Sequence, residues 1–235
     1  MKRVFFGLIA VLLTTCGLHA QVFQGGGTTS PGVLRMNGAS GSAASSFVIR
    51  IDSFTEGTDT GIASHTPDTG GTWSGSGSAD LLVDEALDEV ENVSSGFREM
   101  IGDDNPTTSR YFVEVVGKTG GATGSHGFGA YTRWTSDGTD DLYACFLDGA
   151  GKYNSFKKIG GSFSETSSGT LAGFSASTYY TIRAISDGDT FSCHIDGVMK
   201  TTLYDNATVT GNGNVGFGME NTSARITMLQ AWTLP

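Results

Sequence analysis

Residues 179–197, YYTIRAISDGDTFSCHIDG, alternate apolar and polar side chains on both sides of one turn signal. Period-2 alternation marks a half-buried strand, because successive side chains leave opposite faces of a pleated chain. Asp187-Gly188 between two such runs predicts a hairpin with a two-residue loop. That loop pairs Ser186 with Asp189, Ala184 with Phe191, Ile182 with Cys193 and Tyr180 with Ile195. One face then holds Tyr180, Ile182, Ala184, Phe191, Cys193 and Ile195, and the other Thr181, Arg183, Ser192 and His194. The hairpin has a core side and a polar side.

The same texture runs from Phe47 to the C-terminus. Short β-branched and aromatic runs such as SFVIRIDSF, ADLLVD, RYFVEVVGK, GFGAYTRW, DLYACFLD, YNSFKKIG, NVGFGM and ARITMLQAW alternate with Gly, Asp, Asn and Ser clusters. Glycine supplies 35 of 235 residues, about twice its usual share, whereas four prolines are too few for a Pro-rich disordered chain. Many short strands with regular turn signals predict an all-β fold, a two-sheet antiparallel β-sandwich or a barrel. DEALDEVENV (84–93) is the one helix-like stretch, with a solvated acidic loop or edge strand as the other reading of its acidic run, and VENVSSGFREMIGDD after it has no clean period.

The N-terminus reads differently. Lys2 and Arg3 precede an apolar run from Val4 to Leu13, and Leu18-His19-Ala20 fits a small-residue cleavage site. Residues 1–20 are therefore expected to be a secretory signal peptide. The run is too short to span a bilayer as an anchor. The alternative is a lipoprotein acylated at Cys16, but Thr15 before it fits that pattern poorly. Residues 21–46, rich in Gly, Ser, Thr and Ala without period, read as an N-terminal arm or linker. The folded domain is expected over 47–235.

Cleavage would remove Lys2 and Arg3, so 14 basic residues fall to 12 against 24 acidic ones and the net charge goes from −10 to −12. Such a chain has nothing with which to neutralise phosphates, which argues against nucleic acid and anionic membranes. It suits an extracellular or periplasmic protein with no membrane insertion. Two cysteines, Cys145 and Cys193, would remain, and in an exported chain a Cys145–Cys193 disulfide is expected; two buried thiols are the alternative. Neither has a partner at a zinc-ligand spacing.

The ordered set YYTIRAISDGDTFSCHIDG, MKTTLYDNATVTG and GNVGFGMENTSARITMLQAWTL resembles the C-terminal half of concanavalin A-like lectin/glucanase domains, in particular laminin-G-like modules of bacterial and phage proteins. Asp196-Gly197 ends one strand, a Gly-rich G-x-V-G-F strand follows at 213–217, and a last strand returns to the first. IDSFTEGTDTGIASHTPDTGGTW resembles the opening segment of such modules. The resemblance covers roughly 47–235. It implies a two-sheet jelly roll that hosts lectins, carbohydrate-binding modules, glycoside hydrolases and adhesion or virion proteins.

Within that frame, ASHTPDTGGTWSGSG (63–77) is turn chemistry at Pro67 to Gly71, with Trp73 as an aromatic plug closing one end of the sandwich. His65 and Asp68 lack a third residue at metal-ligand spacing. The glucanases of this fold carry Glu-x-Asp-x-x-Glu on one strand. In the acidic run Asp84, Glu85, Asp88, Glu89 and Glu91, Glu85 is followed two residues on by Leu87. Glu89 is followed by Glu91 and then by Ser94 where the last acid belongs. The motif is absent, which argues against an enzyme, although acids from separate strands can converge. GKTGGATGSHGFG (117–129) lacks the Gly-Lys-Ser/Thr ending of a phosphate loop and reads as a hairpin loop.

A sugar site on a sandwich needs aromatic rings for the pyranose face and polar groups for the hydroxyls. Period-2 counting puts Tyr131 and Arg133 on one face and Phe128, Ala130 and Trp134 on the other. If the strands share a sheet, Glu114, Tyr131, Arg133, Arg183 and His194 form a polar-aromatic floor; otherwise they are a solvated outer face with internal ion pairs. Calcium is implied by the resemblance alone: aspartates crowd turns at Asp52, Asp59, Asp137, Asp140, Asp141 and Asp148, with no EF-hand spacing. Asn92, Asn206 and Asn221 head glycosylation sequons. The expected function is a secreted, non-catalytic carbohydrate-binding or adhesion module with a glycan partner and no required cofactor. A structural virion or surface protein, or a glycoside hydrolase, are the alternatives.

Overall fold

The strands, numbered along the chain, divide between two antiparallel sheets. A computed structural model describes residues 47–135, 141–204 and 212–235. The expected signal peptide at 1–20, the expected arm at 21–46, Asp137, Asp140 and the Asn206 sequon lie outside the described residues. The nine-stranded sheet runs β14 (Val198–Tyr204), β13 (Thr190–Ile195), β12 (Tyr180–Asp187), β7 (Arg110–Lys118), β16 (Arg225–Thr233), β5 (Glu89–Asn92), β4 (Leu81–Asp84), β2 (Thr60–Gly61), with β1 (Val48–Asp52) also on β16. The seven-stranded sheet runs β11 (Ser162–Thr170), β10 (Lys152–Ile159), β9 (Leu142–Asp148), β8 (Gly127–Trp134), β15 (Asn214–Glu220), β6 (Phe97–Gly102), β3 (Trp73–Ser74). This is the jelly-roll sandwich expected from the sequence, with the last strand returning to the first.

Alternation builds the core. Ile182, Ala184, Val113, Val115, Leu229 and Ala231 leave one sheet to meet Phe128, Ala130, Leu147, Val215, Phe217 and Met219 from the other, all fully buried. Each large side chain so buried contributes about 1.5–3 kcal/mol against the entropy of ordering the chain. Tyr143 stacks on Phe191 at 5.2 Å across the gap. A disulfide joins Cys145 of β9 to Cys193 of β13, with Cα atoms 5.1 Å apart.

Three local expectations are corrected. In the β12–β13 hairpin Asp187 pairs with Thr190, Ser186 with Phe191, Ala184 with Cys193 and Ile182 with Ile195. The loop is thus Gly188-Asp189, with Gly188 at φ +61 in the first central position, where glycine adopts positive φ freely. The shift preserves parity, so the core and polar faces are as expected. DEALDEVENV is a hairpin, not a helix: Asp84 pairs with Glu89 and Val83 with Val90. Asp84 Oδ1 accepts from the Ala86 amide at 2.8 Å, an Asx turn that competes with helix. The Gly-rich segment after β7 is no hairpin loop either, because β7 and β8 belong to different sheets.

The 63–77 segment is a mostly exposed stretch anchored by two buried side chains, His65 and Trp73. Trp73 is 2 % exposed; its ring meets Phe217 edge-on at 5.1 Å, and its indole N–H donates to Asp52 Oδ2 at 2.6 Å. The buried Arg50 guanidinium lies over the same ring at 4.1 Å and is ion-paired with Asp104. His65 bridges two carboxylates, Asp52 at 2.7 Å and Glu56 at 2.5 Å. Burial pulls the imidazole pKa down, but the hydrogen bonds and charges of Asp52 and then Glu56 outweigh it and hold it above its ordinary value. Asp68 accepts from the Ser53 amide and hydroxyl. The segment clips β1 to the sandwich.

Candidate functional site: an aromatic groove on the seven-stranded sheet

The outer face of the seven-stranded sheet starts from glycine. Gly127 and Gly129 on β8 and Gly216 and Gly218 on β15 share that face, while the alternating Phe128, Ala130, Val215 and Phe217 point to the core. Rings from neighbouring positions occupy the space the missing side chains leave. A methyl added at Gly218 would overlap the Tyr131 hydroxyl, one at Gly127 or Gly129 the ring of Phe146, and one at Gly216 would crowd Trp134. Aromatic rings are thereby laid across the strands. Phe97 contacts Phe146 at 5.8 Å and Phe163 at 5.7 Å, and Phe163 contacts Phe156 at 5.7 Å.

These rings floor a groove of 380 Å³, bordered also by Tyr131, Gly124, Asp148, Asn154 and Glu220. Two of its polar atoms are buried without a hydrogen-bond partner: the Tyr131 hydroxyl and Asn154 Oδ1. Tyr131 is fully buried and Asn154 is 6 % exposed. Buried polar groups are nearly always paired, and an unmade bond costs about 1–3 kcal/mol, so these two atoms are exceptions on this face. Burial, then the charges of Glu99 and Glu220, keep the Tyr131 hydroxyl protonated well beyond the ordinary range. It is a donor at any physiological pH.

Two carboxylates flank the floor. Asp148 pairs with Gly127 on one side and Glu220 pairs with Gly127 on the other. Their Cα atoms therefore stand two strand spacings apart, about 10 Å, with the Phe146 ring over the glycine between them. Asp148 Oδ1 is held by the amides of Ala150 and Lys152 at 2.9 and 2.8 Å. Burial, then the Asp148 charge, raise the Glu220 pKa, with His126 acting in the opposite sense. At the other end Lys158 is ion-paired with Glu99 at 2.6 Å, beneath Trp134 at 5.6 Å.

Of the five side chains singled out in the sequence, Tyr131 alone borders this groove. Arg133 does not share its face. The residue has φ +58, and the β8–β15 register shifts between Asn214 and Gly216; this bulge turns Arg133 into the space between the sheets, where its Nε donates to Ser186 at 2.5 Å. Trp134 is returned to the groove face beside Tyr131, 5.7 Å away, instead of sharing the core with Phe128 and Ala130. Glu114, Arg183 and His194 lie on the outer face of the other sheet. Arg183 is paired with Glu114 at 2.5 Å, Gln230 also donates to Glu114 at 2.5 Å, and His194 contacts Ser192 at 3.0 Å. That face is the internally paired, half-solvated alternative, and no single floor unites the five. Sequence reasoning missed Phe97, Phe146, Asn154, Phe156, Phe163 and Glu220, and placed Asp148 only among the turn aspartates. The signal for them was the pair of Gly-x-Gly repeats, GFG and GFG, at 127–129 and 216–218, which empty one face for rings from adjacent strands. Among the described residues no group of three His, Cys, Asp or Glu side chains is placed to hold a metal ion, and no helix is long and apolar enough to cross a membrane.

No family model and no curated protein matches this sequence. Solved structures do match in shape. A β-glucanase of Bacillus licheniformis aligns over 82 % of this chain and 100 % of its own, at TM-score 0.56 and 13 % identity. A lichenase derived from a mouse hindgut metagenome covers 74 % and 97 %, at 0.53 and 10 %. The carbohydrate-binding module CBM66 of Bacillus subtilis covers 68 % and 91 %, at 0.51 and 15 %. At such identities the likeness establishes the fold and leaves activity to the site. The chain has the concanavalin A-like jelly-roll fold, carrying an aromatic, acid-flanked groove on its seven-stranded sheet.

Proposed function

We propose that this chain is an exported carbohydrate-binding module that holds a glycan in the groove of the seven-stranded sheet, without cleaving it, as an adhesion or targeting element. One observation carries the reading: an apolar floor of phenylalanine rings bordered by two buried, unpartnered polar atoms, Tyr131 Oη and Asn154 Oδ1. A pyranose offers that combination of needs, an apolar ring face and a rim of hydroxyls. The fold neighbours include a carbohydrate-binding module, which supports the reading at the level of fold. The net charge of −10 speaks against nucleic acid as the partner.

The test is titration calorimetry against a panel of soluble neutral polysaccharides and oligosaccharides, with and without calcium. Binding that is weakened at least tenfold by Phe156→Ala and by Asn154→Ala, at unchanged melting temperature, is the expected result. No binding across the panel would favour a structural role for the same sandwich.

A second reading is supported by the pair Asp148 and Glu220. A carboxyl whose pKa is raised above its ordinary value by burial and then by the Asp148 charge, beside a second carboxylate, is the pattern of a glycosidase acid and its partner. Release of reducing ends from a bound glycan, abolished by Glu220→Gln, would establish hydrolysis in place of simple binding.

A further inference from the structure

The ligand's charge can be read from the groove. The two charged side chains at its Gly127 end, Asp148 and Glu220, are both acids, and Asn154 adds an amide whose Oδ1 is buried without a partner. Asn154 pairs with Phe146, two residues before Asp148 on the same face, so Asn154 is the diagonal neighbour of Asp148, about 7–8 Å away. Among the described residues neither Asp148 nor Glu220 has an ion-pair partner. Two ammonium groups of the adjacent strand are engaged elsewhere: Lys152 with Glu165 at 2.9 Å and Lys158 with Glu99 at 2.6 Å. His126, the residue before Gly127, is the titratable nitrogen beside Glu220, and its Nδ1 is buried without a partner.

Between the two carboxylates lies the Phe146 ring. An aromatic face with carboxylates on both flanks attracts a cation through the ring quadrupole and by direct charge. Asn154 Oδ1 supplies a further acceptor for an ammonium, which has three donors and no acceptor. A carboxylate-bearing sugar would meet the two acids with repulsion and, among the described residues, no cationic side chain to offset it.

We infer that the groove selects glycans bearing a free amine, such as glucosamine oligomers, over their neutral or N-acetylated counterparts, and rejects uronic acid polymers. This rests on the glycan-binding reading and specifies its ligand. The charge of the whole chain steers the same way at low ionic strength.

Binding of four probes to the full chain tests it by calorimetry at mildly acidic pH: a glucosamine tetramer, its N-acetylated form, a neutral glucose tetramer and an oligogalacturonate. The glucosamine tetramer should bind about tenfold or more tighter than either uncharged tetramer, a difference of ~1.4 kcal/mol. That margin should shrink with added salt and be lost in Asp148→Asn and Glu220→Gln. Both variants keep the side-chain shape, and Asn at 148 can still accept from the Ala150 and Lys152 amides, so melting temperature should be retained. Equal or tighter binding of the uncharged tetramers overturns the amine preference and leaves the glycan reading standing. Tightest binding of the oligogalacturonate overturns the charge argument. Binding of none of the four, together with none of the neutral panel, removes both.

Discussion

Trp73→Ala separates a structural 63–77 segment from a ligand-binding loop. The indole is 2 % exposed and is fixed from three sides: by Phe217 at 5.1 Å, by the Arg50 guanidinium at 4.1 Å and by Asp52 at 2.6 Å. Truncating a buried Trp to Ala costs about 3–5 kcal/mol in packing. The bond from a neutral donor to a buried carboxylate adds ~1.5–3 kcal/mol, since Asp52 is then left with the Phe54 amide and His65 alone. These overlap, so a total of about 5 kcal/mol is expected, or ~10–20 °C in melting temperature for a domain of this size. Trp73→Phe keeps most of the ring and loses the donor, and should cost about 2–3 kcal/mol, chiefly the Asp52 bond. Urea unfolding of both variants, with unchanged m-values, reads the two contributions. A loss below about 2 kcal/mol for the alanine variant, or none for the phenylalanine variant, would refute the reasoning.

Tyr131→Phe removes a buried hydroxyl that has no partner. It should leave thermal stability unchanged or slightly higher while weakening glycan binding, whereas Tyr131→Ala should destabilise by about 3–5 kcal/mol, because the residue is fully buried. The imidazole of His65 has a pKa raised in the fold; its stabilisation is complete below the unfolded value of about 6.5 and is lost as pH rises through the higher folded value. Urea midpoints measured from roughly pH 6 to 8 should therefore fall more steeply with pH in the parent than in His65→Gln, and parallel curves would exclude the bridge. Replacing both Cys145 and Cys193, 48 residues apart, by Ala should cost ~4 kcal/mol in the chain-entropy model. Two titratable thiols in the unreduced native protein would rule the bond out.

What was legible in the sequence was whatever obeys strict alternation. β7 and β8 run over Arg110–Lys118 and Gly127–Trp134, the stretches RYFVEVVGK and GFGAYTRW read as strands. Counting by two failed where the backbone adds a residue: the positive φ at Arg133 sends that side chain inward and Trp134 outward, so the two ends of one strand exchange faces. β11, SFSETSSGT, escaped notice because an exposed edge strand has no apolar face to betray it. The groove was hidden for a different reason. Its rings come from β6, β9, β10 and β11, and only the sheet order brings them over the glycines of β8 and β15. The acids of the site are single residues on separate strands, and no one-strand motif could register them.

Ligand is expected to bind the groove face of the seven-stranded sheet. The direct measurement is the NMR amide footprint of the tightest-binding oligosaccharide at saturation. Perturbed resonances should cluster at Gly127, Gly129, Phe146, Asn154 and Gly218, with Glu114, Arg183 and His194 on the opposite sheet unmoved. A footprint centred on Arg183 and His194, with the glycines of β8 and β15 silent, would contradict it.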